Sequence, residues 1–433
     1  MLRQLLWFDL FAISVASAIA NVPASPHRRP LVTFTSAEKK ELFAFKERFL
    51  YNEKEQLAVR NIKFNPDAAQ RVACSVVGGD CTSFEVLTDG GYNRVFVLGF
   101  DNGQEVVLRI PWSPLAGPPH AMIASEVATM EFMREVLDVP VPRVLAWSAN
   151  AQTSPIGSEF ILMEPVAGQS FESQYLEICT ENIGQFGAMM RHFVEIQGRC
   201  AELAFSQIGS LYFKEDVSRE LQDRPLFSES INMDDKLHKA SERYRIGPLT
   251  DRQWWRCERQ SMDLDRGPWP DVVSYFRAAA LSEISFINSP YALRSSFRKA
   301  PLETREEHLK HLNDCLTLIP YIVPPAEFCS PTIWFPDASG TNIMTDSNFK
   351  ITGLIDWQQA VIAPYFTQHM EFPSAFKYTE GLLPIPSVGY GILLSNIDEF
   401  DPEFQKLLHL HRQKVTRHRA YEIAIAKVEP KRE

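Results

Sequence analysis

Between residues 84 and 163 the chain alternates short apolar runs with turn residues in an order that few folds accommodate. Residues 84–87 predict a strand, Asp89-Gly90-Gly91 a turn, 94–98 a second strand, Asp101-Asn102-Gly103 a tight hairpin turn, and 105–110 a third strand. After a proline-bearing loop over 111–119, Ile123, Val127, Met130 and Leu137 recur at helical spacing and predict an amphipathic helix that carries Glu126. Pro140-Val141-Pro142 closes it, and 144–147 and 159–163 predict two further strands. Strand, glycine turn, strand, strand, helix, strand, strand is the order of a compact lobe, an antiparallel sheet with one helix.

The flanking regions differ in character. Residues 1–35 form a leader and linker broken by Pro23, Pro26 and Pro30. The apolar run over 5–20 follows Arg3, contains Asp9 and ends in small residues, which resembles a secretory signal peptide. It is shorter than the roughly 20 apolar residues of a membrane crossing, and no other stretch is long enough to span. Residues 36–60 predict a charged helix capped by Ser36, the start of an N-terminal extension that runs to 83. After Gly168 the pattern is mainly helical to about 318, interrupted by a polar stretch at 214–235 and by Gly267-Pro268-Trp269-Pro270. Two short apolar strands flank a loop in 331–360, and a helical, basic tail occupies 401–433.

The 433 residues, 45% of them hydrophobic, suffice for two or three lobes with a large core. A net charge of -10 argues against a nucleic-acid partner, which would demand a basic surface. Seven scattered cysteines without a C-x-x-C pair give neither a zinc site nor a disulfide framework.

The chemistry is concentrated in Asp337, in Asn342 five residues on, and in Asp356 fourteen beyond that. This spacing suits phosphoryl transfer: one carboxylate meets the attacking hydroxyl, and the asparagine and second carboxylate hold magnesium against nucleotide phosphates. Asp337 as a turn residue and Asn342 as a cap are the structural alternative. Upstream, Gly90-Gly91 could cover phosphate with backbone N–H groups or form an ordinary hairpin turn. Arg109 and Glu126 would hold nucleotide phosphates or form a structural salt bridge.

Asp337…Asn342…Asp356, preceded by Gly90-Gly91-Tyr92-Asn93, Leu108-Arg109-Ile110-Pro111 and Ser125-Glu126, resembles the aminoglycoside phosphotransferase (phosphotransferase enzyme) family over roughly 84–364. Phe49-Leu50-Tyr51-Asn52-Glu53, Ile208-Gly209-Ser210-Leu211-Tyr212-Phe213, Ile246-Gly247-Pro248 and Asp263-Leu264-Asp265-Arg266-Gly267-Pro268-Trp269 resemble the fungal group named for altered inheritance of mitochondria protein 9. The resemblance implies an α+β, bilobal protein-kinase-like fold: a small antiparallel-sheet N-lobe over 84–166 and a larger, mainly helical C-lobe over 167–400, with a helical insertion at 214–291 that shapes the acceptor pocket. It implies ATP and Mg2+ as cofactors, a small-molecule hydroxyl acceptor, and a mitochondrial address, where the leader residues alone favour neither that address nor the secretory pathway. It puts the catalytic base on Asp337, the metal ligands on Asn342 and Asp356, and the phosphate-binding pair on Arg109 and Glu126. Gly90, Gly91 and Asn93 fall on the phosphate-covering turn, and Glu164 and Val166 on the adenine hinge, where Pro165 has no N–H to give. Phe335 departs from the family pattern, which has histidine two residues before the base. Ala338-Ser339-Gly340-Thr341 departs from the common run that follows it. These departures keep open a second expectation, a nucleotide-binding pseudokinase that acts as scaffold or regulator.

Overall fold

The computed structural model describes residues 31–45, 48–112, 117–174, 183–291, 304–369 and 373–376, with scattered helical positions between 402 and 428. The apolar leader and most of the basic tail lie outside the described residues.

The N-terminal extension is not one helix. Helix α1 (Ser36–Phe43) opens on Thr35, not Ser36: Thr35 accepts from the Glu38 N–H at 3.2 Å, and Glu38 accepts from the Thr35 N–H at 2.7 Å. Helix α2 (Glu53–Val59) is separate and opens on Asn52 at φ 49. Both are short, and α2 buries no residue, so charge content alone did not sustain a continuous helix. Helix α3 (Pro66–Val77) has proline in its first turn, the Asn65 side chain as cap and Gly78 at φ 86 as its stop.

Strands β1 (Cys81–Asp89), β2 (Asn93–Phe100) and β3 (Glu105–Pro111) lead into helix α4 (Ala121–Glu135), then β4 (Val144–Ser148) and β5 (Phe160–Met163). They form one antiparallel sheet in the order β1-β2-β3-β5-β4. Helix α4 is not amphipathic as expected. It buries Met122, Ile123, Val127, Met130 and Met133 together with Ser125, Glu126 and Thr129. Its second side packs on the C-lobe, so polar residues on that face enter the interior too.

The C-lobe comprises β6 (Gln169–Ser170), α5 (Ile183–Glu202), β7 (Ser210–Phe213), α6 (Arg219–Gln222), α7 (Asp235–Arg243), β8 (Tyr244–Gly247), α8 (Val272–Asn288) and α9 (Arg305–Ile322). Strands β9 (Pro331–Ile333), β10 (Ile343–Thr345), β11 (Ile351–Leu354) and β12 (Ile362–Pro364) follow, then α10 (Tyr365–Gln368). Two differences from the expected pattern stand out. Strands β7 and β8 pair inside a stretch expected to be helical; both are buried on both faces, which erases the alternation that marks a strand. Around the loop, β9 pairs with β12 and β10 with β11 and β6, so two small sheets frame it.

This is a bilobal α+β fold, an antiparallel-sheet lobe with one central helix followed by a larger, mainly helical lobe. One apolar core runs across both lobes, joining Val127 of α4 and Met163 of β5 to Phe193, Trp334 and Trp357. The chain leaves the N-lobe at Gly168, φ 98, where a Cβ would lie 2.1 Å from the Thr345 carbonyl oxygen. Among the described residues no helix is long and apolar enough to cross a membrane.

Candidate active site

The loop from β9 to β10 is anchored by aromatic rings. Phe335, 2% exposed, packs on Trp357 at 4.9 Å between centroids, and Trp334 meets Phe193 edge-on at 5.5 Å. With these rings inside, Pro336 and Asp337 stand exposed at the crest. The Asn342 amide nitrogen donates to Asp337 Oδ2 at 3.0 Å and to the Asp337 carbonyl at 3.1 Å. The Asn342 carbonyl accepts from the Ile355 N–H at 3.0 Å, tying the loop's end to the segment after β11. There the backbone turns at Asp356, φ 66, a left-handed conformation uncommon outside glycine but within reach of aspartate.

Arg109 approaches from the N-lobe. It sits mid-sheet on β3, opposite Val95 of β2 and Ile161 of β5. Its guanidinium ion-pairs with Glu126 of α4, and its Nη1 stands 3.5 Å from Asp356 Oδ1. The Arg109 and Glu126 side chains are 8% and 1% exposed. Burial lifts the Glu126 carboxyl above its usual range, with Arg109 opposing and the Asp356 charge adding. Asp356 is likewise raised, by burial first, against the pull of Arg109 and with the push of Asp337. Burial draws the Arg109 guanidinium down, but Glu126 and Asp356 outweigh it and the net shift is upward. Three atoms of this cluster, Arg109 Nε, Glu126 Oε1 and Asp356 Oδ1, are buried without a hydrogen-bond partner.

These residues fit a hard cation. Asp356 Oδ1 is an unsatisfied buried oxygen, and the Asn342 amide turns its nitrogen to Asp337, which leaves its oxygen for another partner. Among the described residues no group of three His, Cys, Asp or Glu could cage a metal. A cation here would draw its remaining ligands from phosphate and water, as magnesium does in nucleotide sites.

The glycine turn closes as a hairpin. The Gly90 N–H donates to the Asn93 carbonyl at 2.8 Å, so that amide is used inside the turn, whereas a Cβ on Gly91 would meet nothing within 4 Å. The Asn93 side chain donates to Gln358 Oε1 at 2.8 Å in a buried bond across the lobes. At the hinge, the Glu164 N–H is taken by the Arg143 carbonyl at 2.9 Å. Pro165 has no N–H, so Val166 is the next residue that can donate to a base.

Asp337 and Asp356 share the wall of a cavity of about 640 Å³. Asp251, Gln253 and Tyr275 line it from the 214–291 stretch, Gln358 and Gln368 from the segments after β11, and Tyr92 from the glycine turn. Among the described residues no Lys, Arg or His lines it. Burial raises the Asp251 carboxyl, which also caps a short turn by accepting from the Gln253 N–H at 2.8 Å. Tyr92 lies within the glycine-turn motif, and the 214–291 stretch is expected to shape the acceptor pocket, but no sequence signal marks Asp251, Gln253, Tyr275, Gln358 or Gln368 individually. Only the proximity of Gln358 to Asp356 in the chain could have drawn notice.

Residues 83–271 match the model of the Phosphotransferase enzyme family. The match stops before the 334–357 loop, short of the 84–364 span expected from the resemblance. A subtelomeric hrmA-associated cluster protein of Aspergillus fumigatus is 32% identical over 322 residues, 66% of this chain and 59% of that protein. Altered inheritance of mitochondria protein 9, mitochondrial, of Yarrowia lipolytica is 28% identical over 65% of this chain and 50% of its own length. The chain thus spans about three fifths or less of the curated relatives it matches. Among solved structures, macrolide 2'-phosphotransferase MphH from Brachybacterium faecium aligns with TM-score 0.35 and 13% identity, over 84% of this chain and 97% of that one.

Proposed function

We propose that this chain, whose residues 83–271 carry a phosphotransferase-family domain, moves the γ-phosphoryl group of ATP to a hydroxyl of a small molecule. The observation that carries this reading is the meeting of Arg109 with Asp356 at 3.5 Å across the lobes, beside a cavity walled by Asp337. Asp337, exposed at the loop crest and bonded to Asn342 on one carboxylate oxygen, would accept a hydrogen bond from the acceptor hydroxyl and take its proton as the oxygen attacks. Arg109, held by Glu126, would steady the nucleotide phosphates. Mg2+ on Asn342 and Asp356 would, when bound, neutralise charge on those phosphates. Gln358 and Asn93 keep the glycine turn and the loop in one geometry, which is the positioning that phosphoryl transfer depends on.

The test is Asp337→Asn in a metabolite screen for ATP-dependent mass gain. Turnover should vanish while Mg-ATP still binds. Turnover at the unaltered rate would sink the mechanism.

A second reading, a nucleotide-binding regulator without transfer, is motivated by Phe335 in place of a histidine. Thermal stabilisation by Mg-ATP with no consumption on any acceptor would favour it. The mitochondrial names of the yeast relatives support that address for this chain. Sequencing the mature N-terminus of protein recovered from isolated organelles tests it, and a cleaved secretory leader would contradict it.

A further inference from the structure

The glycine turn is gripped from behind by a segment some fifty residues upstream. Arg94, the second residue of β2, has a side chain 1% exposed. Its Nε and Nη2 donate to the two Asp89 carboxylate oxygens at 2.5 and 2.7 Å, and Asp89 is the last residue before Gly90. The same guanidinium donates from Nη1 to the Leu42 carbonyl at 2.7 Å and from Nη2 to the Ala44 carbonyl at 2.6 Å. Those carbonyls belong to the C-terminal end of α1, where unpaired carbonyl oxygens favour a cation. Trp112 supplies a second grip: its indole N–H donates to the Gly90 carbonyl at 2.9 Å and its backbone N–H to the Tyr92 carbonyl at 2.7 Å. The Phe45 ring meets Trp112 edge-on at 5.5 Å, and the Arg94 guanidinium lies 5.5 Å from the Trp112 ring centroid. Asp89, Gly90 and Tyr92 are all tied to this one buried assembly. Gly91 alone is left open at the tip.

A two-strand hairpin closes with its own ladder and turn. Asp89 and Arg94 already face each other in the β1–β2 register, so their pair alone would do. The two α1 carbonyls and the Phe45 ring add nothing to closure. What they add is a fixed angle of the turn relative to the sheet and to Arg109.

We propose that residues 42–45, acting through Arg94 and Trp112, hold the Gly90-Gly91 turn in its phosphate-covering position. Arg94 and Trp112 are then positioning residues for the nucleotide phosphates, and the N-terminal extension is part of the nucleotide site. This rests on the phosphotransferase reading above. Preorganised donors bind phosphate without first ordering the loop, so loosening the grip weakens phosphate binding and leaves the adenine hinge alone.

The experiment compares Trp112→Phe, Arg94→Lys and Phe45→Ala in the full chain, with Mg-ATP and with adenosine as probes in titration calorimetry. Trp112→Phe keeps one aromatic ring and the backbone N–H to Tyr92, and removes the indole N–H to Gly90 together with the rest of the bicycle. We expect each variant to bind Mg-ATP about tenfold more weakly, the worth of one positioned hydrogen bond, with adenosine affinity changed by less than about twofold. Should Arg94→Lys fail to fold, the other two decide. Mg-ATP affinity equal to that of the unaltered chain, or an equal loss for adenosine, would overturn the inference, because a merely structural role moves both ligands or neither. An unaltered chain that binds no Mg-ATP would overturn the functional reading, and this inference with it.

Discussion

The most decisive perturbation is Glu126→Gln. The Arg109–Glu126 pair is buried, at 8% and 1% side-chain exposure, and joins the sheet to α4. Gln keeps the shape and an acceptor oxygen but removes the charge, leaving Arg109 in the interior. Breaking a buried pair on one side typically costs about 3–5 kcal/mol. Here Arg109 keeps Asp356 at 3.5 Å, so part of its charge stays compensated and the cost falls to the lower end or just below it, about 2–3 kcal/mol. For a chain of 433 residues that is a fall in Tm of roughly 2–3 °C. The guanidinium, released by Glu126, would be drawn to Asp356 and compete with a cation there, so Mg-ATP should also bind more weakly. Removing both charges separates the two effects. In Arg109→Met/Glu126→Leu neither member of the pair is stranded, and Asp356, which loses Arg109, has a side chain 39% exposed to solvent, so stability should return to within about 1 kcal/mol of the unaltered chain, while nucleotide binding stays lost. Thermal unfolding and Mg-ATP titration of Arg109→Met, Glu126→Leu and the double variant close the cycle, with Glu126→Gln measured beside them. If the double variant loses the sum of the singles, the cost does not come from a stranded buried charge and the reasoning fails.

Other expectations follow from the same geometry. Asp356→Ala removes the unsatisfied oxygen beside Arg109 and should weaken Mg-ATP more than Mg-free ATP; equal loss for both would separate Asp356 from metal binding. Phe335→His puts a polar ring where the side chain is 2% exposed against Trp357, and should lower stability by about 1–3 kcal/mol without speeding turnover; faster ATP consumption would contradict the aromatic brace. Asp216 has a buried Oδ2 without a hydrogen-bond partner, and burial, with neighbouring Glu215, pushes its carboxyl up to about 7 from 3.8. The folded chain keeps a proton that the unfolded chain releases at lower pH, so this contribution is whole below 3.8 and lost as pH rises through about 7. Asp216→Asn should therefore exceed the unaltered chain in stability by about 1–3 kcal/mol at pH 8 and match it under acid conditions; an advantage that does not shrink on acidification would refute the assignment.

What the sequence made legible follows from the range of the forces involved. Strands β1 to β3 and their turns were readable because a hairpin is local: alternation, Asp101-Asn102-Gly103 and the double glycine lie within a few residues of what they pair with. Strands β7 and β8 were not, because a strand buried on both faces shows no alternation. The division of labour within the site was equally hidden. Asn93 looks like part of a phosphate turn, but its partner, Gln358, lies 265 residues away, and no local pattern marks a hydrogen bond of that separation. The grip of Arg94 on the Leu42 and Ala44 carbonyls was invisible for the same reason, since backbone acceptors have no sequence.

Phe335 shows how a departure in sequence can be absorbed in structure. A histidine at that place would brace the loop by hydrogen bonding, and its loss in isolation argues for a slack loop. The ring that replaces it lies on Trp357, which is fully buried and donates its indole N–H to the Leu354 carbonyl at 3.0 Å. Trp357 directly follows Asp356, so Phe335 couples the segment before Asp337 to the segment bearing Asp356. Packing thus links the two ends of the site that Asn342 also links through Asp337 and the Ile355 N–H. An apolar brace has no charge to titrate. The activity of this loop should accordingly show no inflection from a residue at 335, and its sensitivity should lie in ring volume: Phe335→Leu should reduce turnover several-fold through slack in the loop, whereas Phe335→Tyr, if its hydroxyl finds a partner, should cost less. The reverse order in steady-state rates would mean that the ring fills space without holding Asp337.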